Sequence, residues 1–512
     1  MKFKYLSALV ASAIAAPAWS ADFGKTTEQL LKAQSLRHFG IVRPLDNAAL
    51  GNTPRQPGQN ARDLIDLAPG LRASILTRSI GSNADMVAFW PSDENPTHSI
   101  WCIEVGRQDL GVTLDGTDGI VKYNPAVQAV DMRTGEITTL LRGMERCDGI
   151  RSTAWGTILA TEETGDGAAY EIIDPLNTFD HTIIDRASGE VIDALGNRSQ
   201  NVVKRPALPI IAWEGLAVLE NGVVIAGDEL RPGSQDLGGD GQADPDSDGG
   251  AIFKFVPTVP RVETGNISAL TQSPLVSGSV YAFRASCRNG GSSQFNINYG
   301  QGCEIGNGSW VEVTAATARR DAALNGATGY YRPEDLHRDP VYAGEGVRFC
   351  WANTGNEGAK NFGEVICGID SNPLVADETQ ATVEVNRFVE GNTDFNSFDN
   401  LAFQPESGIL YVIEDHPNGD IFACLRDGED RDIKTDGCIR VLSVKDQSAE
   451  PTGFTFLGDG RSAILSIQHS NDANCTVGSD CGPVDGFATD DLVLIEGFRI
   501  LDSMLPSPAV EK

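Results

Sequence analysis

Three stretches of this chain run in phase with one another, and that repeat restricts the folds open to it. The first goes from Cys147 through Trp155-Gly156-Thr157-Ile158-Leu159 to the paired acids Glu162-Glu163. The second goes from Glu214-Gly215-Leu216 through Asn221-Gly222 to Asp228-Glu229, and the third from Asp399-Asn400-Leu401 through Ser407-Gly408 to Glu414-Asp415. Aligned on Gly156, Gly222 and Gly408, the acids follow each glycine by six and seven residues. Cys147, Glu214 and Asp399 precede it by nine, eight and nine. A looser fourth unit begins at Glu334 and ends near Asn353.

Between and around these units the chain shows short apolar runs rich in Val, Ile, Phe and Tyr, split by Gly, Asn and Asp. Gly222–Ala226, Ala251–Phe255 and Gly408–Ile413 are examples. Such runs predict many short antiparallel strands. Helical periodicity is confined to about Thr26–Arg37, with a short turn near Asp63–Leu67. A four-stranded unit repeated radially makes a propeller around a channel. Residues at one phase of each blade then share a radius and a height. A single acid at a strand end is most simply a solvated turn residue. Three copies in phase instead bring carboxylates together at the axis, where their mutual repulsion calls for cations.

The composition agrees. Of 512 residues, 71 are Asp or Glu and 40 are Lys or Arg, for a net charge of −31. That balance argues against nucleic acid, which needs a cationic footprint, and against anionic membrane surfaces. It suits cations, calcium above all. The hydrophobic share of 41% supports a large core, and the 55 glycines suit many tight turns. Lys2 and Lys4, the apolar Leu6–Ala16 and Ala18-Trp19-Ser20 read as a cleavable export signal over residues 1–20. No later run reaches the roughly 18–20 apolar residues of a membrane helix. Ten cysteines in an exported chain read as disulfides. Eight form close sequence pairs: Cys287/Cys303, Cys350/Cys367, Cys424/Cys438 and Cys475/Cys481. Cys102 and Cys147 remain, either bonded to each other or with one of them as a metal ligand.

Five segments, in order, resemble the PhoX-type alkaline phosphatases, a secreted propeller family. They are Cys147–Glu163; Trp213-Glu214-Gly215 with Gly227-Asp228-Glu229 and the strand after Ala251; Tyr331-Arg332-Pro333-Glu334-Asp335; Phe398-Asp399-Asn400-Leu401-Ala402-Phe403; and Ile467-Gln468-His469. Where the family has Ala-Gly-Gly after its cysteine, this chain has Asp148-Gly149-Ile150, and Trp213 replaces the usual histidine. The resemblance implies an all-β, six-bladed propeller as one domain over residues 71–505. It would carry loop insertions, and a short-helix segment at 21–70 would precede it. It also implies an axial cluster of ferric iron (Fe3+) and calcium (Ca2+) that hydrolyses phosphate monoesters. By that resemblance Cys147, Glu214 and Glu334 match iron ligands. Arg332 matches the arginine that grips the phosphoryl group, with Glu334 beside it in the catalytic set. Glu162, Glu163, Asp228, Glu229, Asp399 and Asn400 fall where calcium or supporting ligands stand.

A separate acidic insertion, 236–250, places five Asp within thirteen residues. Asp240, Asp244, Asp246 and Asp248 there predict a structural calcium loop, although Phe255 stands where an EF-hand has its closing glutamate. The six histidines lack metal-ligand spacing, and there is no G-x-S-x-G elbow, phosphate-binding P-loop or dinucleotide fingerprint. The leading expectation is an exported, periplasmic or secreted, monomeric phosphomonoesterase. Two alternatives stand beside it: a calcium propeller acting on lactones or other phosphoesters, and a non-catalytic extracellular binding propeller.

Overall fold

In the computed structural model, residues 29–114, 119–285, 306–426 and 437–505 are described. Their strands form six antiparallel blades in chain order. Blade 1 comprises Ala84–Trp90, His98–Ile103, Pro125–Asp131 and Ile137–Arg142. Blade 2 comprises Cys147–Ser152, Thr157–Glu162, Ala169–Ile173 and Val202–Lys204. Blade 3 comprises Trp213–Val218, Val224–Asp228, Ile252–Pro257 and Gly278–Ala285. Blade 4 comprises Pro333–Arg338, Val347–Asn353, Glu364–Asp370 and Val383–Glu390. Blade 5 comprises Phe398–Phe403, Leu410–Glu414, Asp420–Cys424 and Cys438–Val444. Blade 6 comprises Glu450–Phe456, Ser462–Gln468 and Thr489–Glu496, with Arg72–Gly81 from the start of the domain as its outer strand. That last pairing joins the two ends of the fold.

The first strand of each blade lines the axis. Each packs against the next, and Glu450–Phe456 of blade 6 meets Ala84–Trp90 of blade 1, so the ring is closed. Closure leaves the blades' inner edges covered. Two glycines allow the tightest approaches. A Cβ on Gly149 would clash with the carbonyl of Glu214 in blade 3, and a Cβ on Gly215 would clash with the Asp335–Leu336 backbone in blade 4. Elsewhere side chains join neighbouring strands. Asp335 accepts from the Leu401 amide (3.0 Å), and Asn400 accepts from the Gly453 amide (2.6 Å) and the Thr452 hydroxyl (2.7 Å). The same Thr452 hydroxyl lies 2.5 Å from Asp85, so Asn400 and Asp85 share it.

The core lies between blades. Trp101, Trp155, Trp213, Trp310 and Trp351 are fully buried there, as packing residues. Insertions decorate the outside. Gly306–Val313 pairs with both Gly278–Ala285 and Val383–Glu390, merging blades 3 and 4 into one sheet. His181–Asp185, which follows the third strand of blade 2, adds in parallel to blade 1.

The N-terminal segment is short-helical, with a helix at Ser35–Phe39. The turn expected near Asp63–Leu67 is instead a helix at Ala61–Leu64 followed by the strand Ile65–Leu67, which pairs with the outer strand of blade 5. Disulfides join Cys350 to Cys367, Cys424 to Cys438 and Cys475 to Cys481. Cys102 is bonded to Cys147. The Cys287/Cys303 pair and the signal segment 1–20 lie outside the described residues.

Candidate active site

Alternation along each inner strand decides what the axis sees. The second residue of the first five inner strands is an acid: Asp85, Asp148, Glu214, Glu334 and Asp399. The sixth begins with Glu450. These carboxylates crowd one end of the channel. Ligand oxygens of Asp148, Glu163 and Glu214 lie within 4.8 Å of one another, and so do those of Glu214, Glu334 and Asp399. Glu214 belongs to both groups, so they form one continuous row. Among the described residues these are the only two such groups.

The in-phase acid pairs divide into two roles. The first acid of each pair turns into its own blade and caps the loop that leads to the inner strand. Glu162 accepts from the Glu145 amide (2.8 Å) and pairs with Arg186 (2.8 Å). Asp228 accepts from the Ala212 amide (3.0 Å) and pairs with Arg319 (2.9 Å through Nε). Glu414 accepts from the Asn396 amide (2.9 Å). The second acid faces the axial cup: Glu163 in the row itself, and Glu229 and Asp415 against Arg332. Glu162 and Asp228, expected among the metal ligands, therefore hold loops in place. Asn400 likewise braces blades 5 and 6.

Cys147 is corrected outright. Its sulfur is bonded to Cys102 in the packed interior of blades 1 and 2, so it offers no thiolate. Its neighbour Asp148 takes the axial place. Asp148 stands eight residues before Gly156, the same spacing as Glu214 before Gly222. Cys147, nine residues before Gly156, matches Asp399 before Gly408 equally well, so spacing alone did not choose between the two. Asp85, Glu104 and Glu450 were missed because blades 1 and 6 do not repeat the glycine phase.

Burial and crowding dominate the electrostatics. Asp148, Glu214, Glu334 and Asp399 have carboxyls pushed well above the ordinary range, first by burial and then, for all but Glu334, by neighbouring carboxylates: Asp85 and Glu163 act on Asp148, Asp148 and Glu334 on Glu214, and Asp85 and Glu334 on Asp399. For Glu334 the next influence is Arg332, which works against the rise. Burial and Glu104 push Glu163 up to about 10, while burial and Asp85 push Glu104 up to about 7. Oδ1 of Asp148 is buried and has no hydrogen-bond partner. A buried carboxylate oxygen without a donor is costly unless a cation meets it. The donor set is all oxygen, which suits a hard divalent cation.

Arg332 sits over this row. Its Nε donates to Glu229 (2.6 Å), and its Nη2 and Nη1 lie 3.1 Å from Glu334 and 3.5 Å from Asp415. Burial alone would lower its pKa, but those three carboxylates more than offset this and raise it. Beneath the row, Asp335 pairs with Arg151 and His337, each at 2.9 Å. Burial would raise Asp335, yet His337 and Arg151 hold its carboxyl at about 2. His469, 44% exposed, pairs with Glu450 at 3.0 Å on the rim.

The acidic insertion closes on its own backbone. Asp236 accepts from the Gly239 and Gly241 amides, Asp240 from Gln242, and Asp244 from Leu237 and Gly238. Asp246 is exposed and Asp248 half-buried. The four aspartates expected to hold a structural calcium do not form a converging group of three.

A family model described as alkaline phosphatase PhoX matches residues 241–471. That span holds three of the five resembling segments, and Cys147–Glu163 and Trp213–Glu229 precede it. No curated protein sequence matches the chain. Among solved structures the chain is similar to Pseudomonas fluorescens PhoX in complex with vanadate, a transition-state analogue. The identity is 16%, the TM-score is 0.51, and the match covers 88% of this chain and 98% of that one. It is also similar to a gluconolactonase from Xanthomonas campestris, at 12% identity and TM-score 0.38, covering 90% and 100% of the two chains. A third similar structure is the PQQ-bound aldose sugar dehydrogenase of Streptomyces coelicolor, at 12% identity and TM-score 0.39, covering 84% and 100%. At these identities the likeness is one of fold.

Proposed function

We propose that this chain is an exported, metal-dependent phosphatase that releases phosphate from small organic monoesters at the axial cup. One observation carries the reading: a row of converging buried carboxylates, with Oδ1 of Asp148 left without a donor, lies directly beside Arg332. The family match over residues 241–471 supports it. So does the strong negative charge, because a phosphate dianion approaches such a protein only where cations gather.

Asp148, Glu163 and Glu214 would hold one cation, and Glu214, Glu334 and Asp399 another. Calcium fits these oxygen donors. Iron held by a Cys147 thiolate does not, given the bond to Cys102. When bound, the cations supply positive charge to the phosphoryl oxygens and polarise water. The protein's own contribution is positioning. Arg332 presents a planar fork of donors suited to two phosphoryl oxygens. Glu229, Glu334 and Asp415 fix the direction of that fork. Asp335, held ionised by Arg151 and His337, ties the Glu334 strand to Leu401 of blade 5 and so keeps the floor of the cup rigid. Export to an oxidising compartment accords with four disulfides and with no helix, among the described residues, long and apolar enough to cross a membrane.

Hydrolysis of p-nitrophenyl phosphate at alkaline pH, with calcium and again with a chelator, tests the reading. Turnover that calcium restores supports it. No turnover in folded, calcium-loaded protein overturns it. The Cys102–Cys147 bond favours a second reading, a calcium propeller hydrolysing a lactone or another phosphoester. Lactone turnover without phosphomonoester turnover would establish that one.

A further inference from the structure

Arg146 leads into blade 2 as Arg332 leads into blade 4. Each stands two residues before the axial acid of its inner strand, Asp148 and Glu334. Each has left-handed backbone, with φ of 52° and 54°. The same turn in blades 1 and 5 is made by Asn83 and Ser397, at φ of 61° and 53°. The conformation thus belongs to the blade. Asparagine tolerates it better than arginine does, so the local backbone gives no reason for an arginine at either place.

The two guanidinium groups flank one row of carboxylates. Arg146 donates to Glu163 through Nε (3.0 Å) and Nη2 (2.6 Å) and also pairs with Glu104. Glu163 leads through Asp148 and Glu214 to Glu334, and Arg332 holds Glu334. Blade 3 separates the two arginines around the ring. Arg146 is the more open of the two, with its side chain 45% exposed against 17% for Arg332. Its Nη1 makes no hydrogen bond among the described residues.

We propose that Arg146 is a specificity-determining residue that binds a second anionic group of the substrate. The site then selects phosphate monoesters bearing a carboxylate or a second phosphate close to the scissile one. This rests on the phosphatase reading and names its substrate class. Without Arg146, an anionic substituent near this cup would face Glu104 and Glu163 with no cationic side chain, among the described residues, paired to either. A guanidinium with a free donor at the mouth turns that repulsion into a charge-assisted contact. Arg332 is engaged by three carboxylates around the phosphoryl position and cannot serve both groups.

The test uses two non-hydrolysable ligands that differ by one carboxylate, phosphonoacetate and methylphosphonate, titrated by calorimetry into the calcium-loaded protein. Wild type should bind phosphonoacetate at least about tenfold more tightly. Arg146→Ala should bring the ratio of affinities close to one, and Arg146→Lys should restore part of it. A role confined to propping Glu104 and Glu163 would weaken both ligands together and leave the ratio intact. That result overturns the proposal, as does equal affinity or no binding in the wild type. A preserved ratio in wild type, lost in Arg146→Ala, without hydrolysis of p-nitrophenyl phosphate would uphold the anion site and reject the phosphatase reading instead.

Discussion

Asp148 and Glu214, on the inner strands of blades 2 and 3, hold carboxylate oxygens within 4.8 Å of each other, and among the described residues neither is in an ion pair. Gly149 makes this approach possible, since a side chain there would meet the Glu214 carbonyl and push the two strands apart; Gly215 does the same between blades 3 and 4. Two buried carboxyls so placed are tolerable when protonated or when they share a cation.

Calcium should therefore stabilise the protein. At a hundredfold excess over its dissociation constant, one site adds about 2.7 kcal/mol. Thermal unfolding with calcium and with chelator measures this directly. Asp148→Asn should unfold no earlier than wild type in chelator, because one buried acid is gone, and should lose most of the calcium-induced rise. An unchanged calcium response in Asp148→Asn would remove Asp148 from the site.

Cys102 and Cys147 should matter for stability and not for metal content. Removing a native disulfide costs roughly 2–5 kcal/mol. The double variant Cys102→Ala/Cys147→Ala should thus melt earlier in urea while binding the same number of cations per chain by elemental analysis. Loss of an ion in the folded double variant would restore Cys147 as a ligand.

The fold and the site were not equally legible in the sequence. The in-phase units at Gly156, Gly222 and Gly408 reported blades 2, 3 and 5, since a tight turn after the inner strand and acids after the next strand recur at fixed distance. Blade 1 escaped that pattern because its first hairpin turns through Trp90-Pro91 and carries no glycine in place of Gly156, Gly222 and Gly408. Asp85 and Glu104 were lost with it. Which acid of a pair faces the axis was invisible for a different reason. Glu162 and Glu163 are adjacent and chemically alike, and it is Arg186, brought in by an insertion, with the Glu145 and Ala168 amides, that singles out Glu162 as the cap. The choice between Cys147 and Asp148 turned on Cys102, forty-five residues away in sequence.

Arg332 should be needed for turnover. Arg332→Ala should lower kcat/KM for p-nitrophenyl phosphate by roughly 10²–10³, the usual loss for one preorganised donor at developing charge. Arg332→Lys keeps the charge without the planar fork and should recover only part. Calcium content must be measured in parallel, because Glu229, Glu334 and Asp415 lose a shared counter-charge. Wild-type kinetics in calcium-loaded Arg332→Ala would remove this role.

The last prediction concerns pH and a carboxyl that is not part of the converging row. Asp490, at the start of the third strand of blade 6, is fully buried, accepts one amide from Asn83 (2.5 Å), and has Oδ1 without a partner. Burial pushes its carboxyl up to about 7 against the pull of Arg55, while Asp472 and Asp491 add to the rise. A carboxyl raised on folding binds its proton more tightly in the native state. Its contribution is therefore most favourable at low pH and is lost as pH climbs from about 4, the unfolded value, through 7. Asparagine at this position keeps an acceptor for the Asn83 amide and cannot ionise. Asp490→Asn should consequently match wild type near pH 4 and gain on it steadily up to pH 7. Above that it should stay ahead by up to about 4 kcal/mol, three pH units at about 1.4 kcal/mol each, measured by urea unfolding at pH 5 and pH 8. Equal stability of the two proteins at pH 8 would mean that Asp490 is ionised at little cost, with Arg55 as its effective partner.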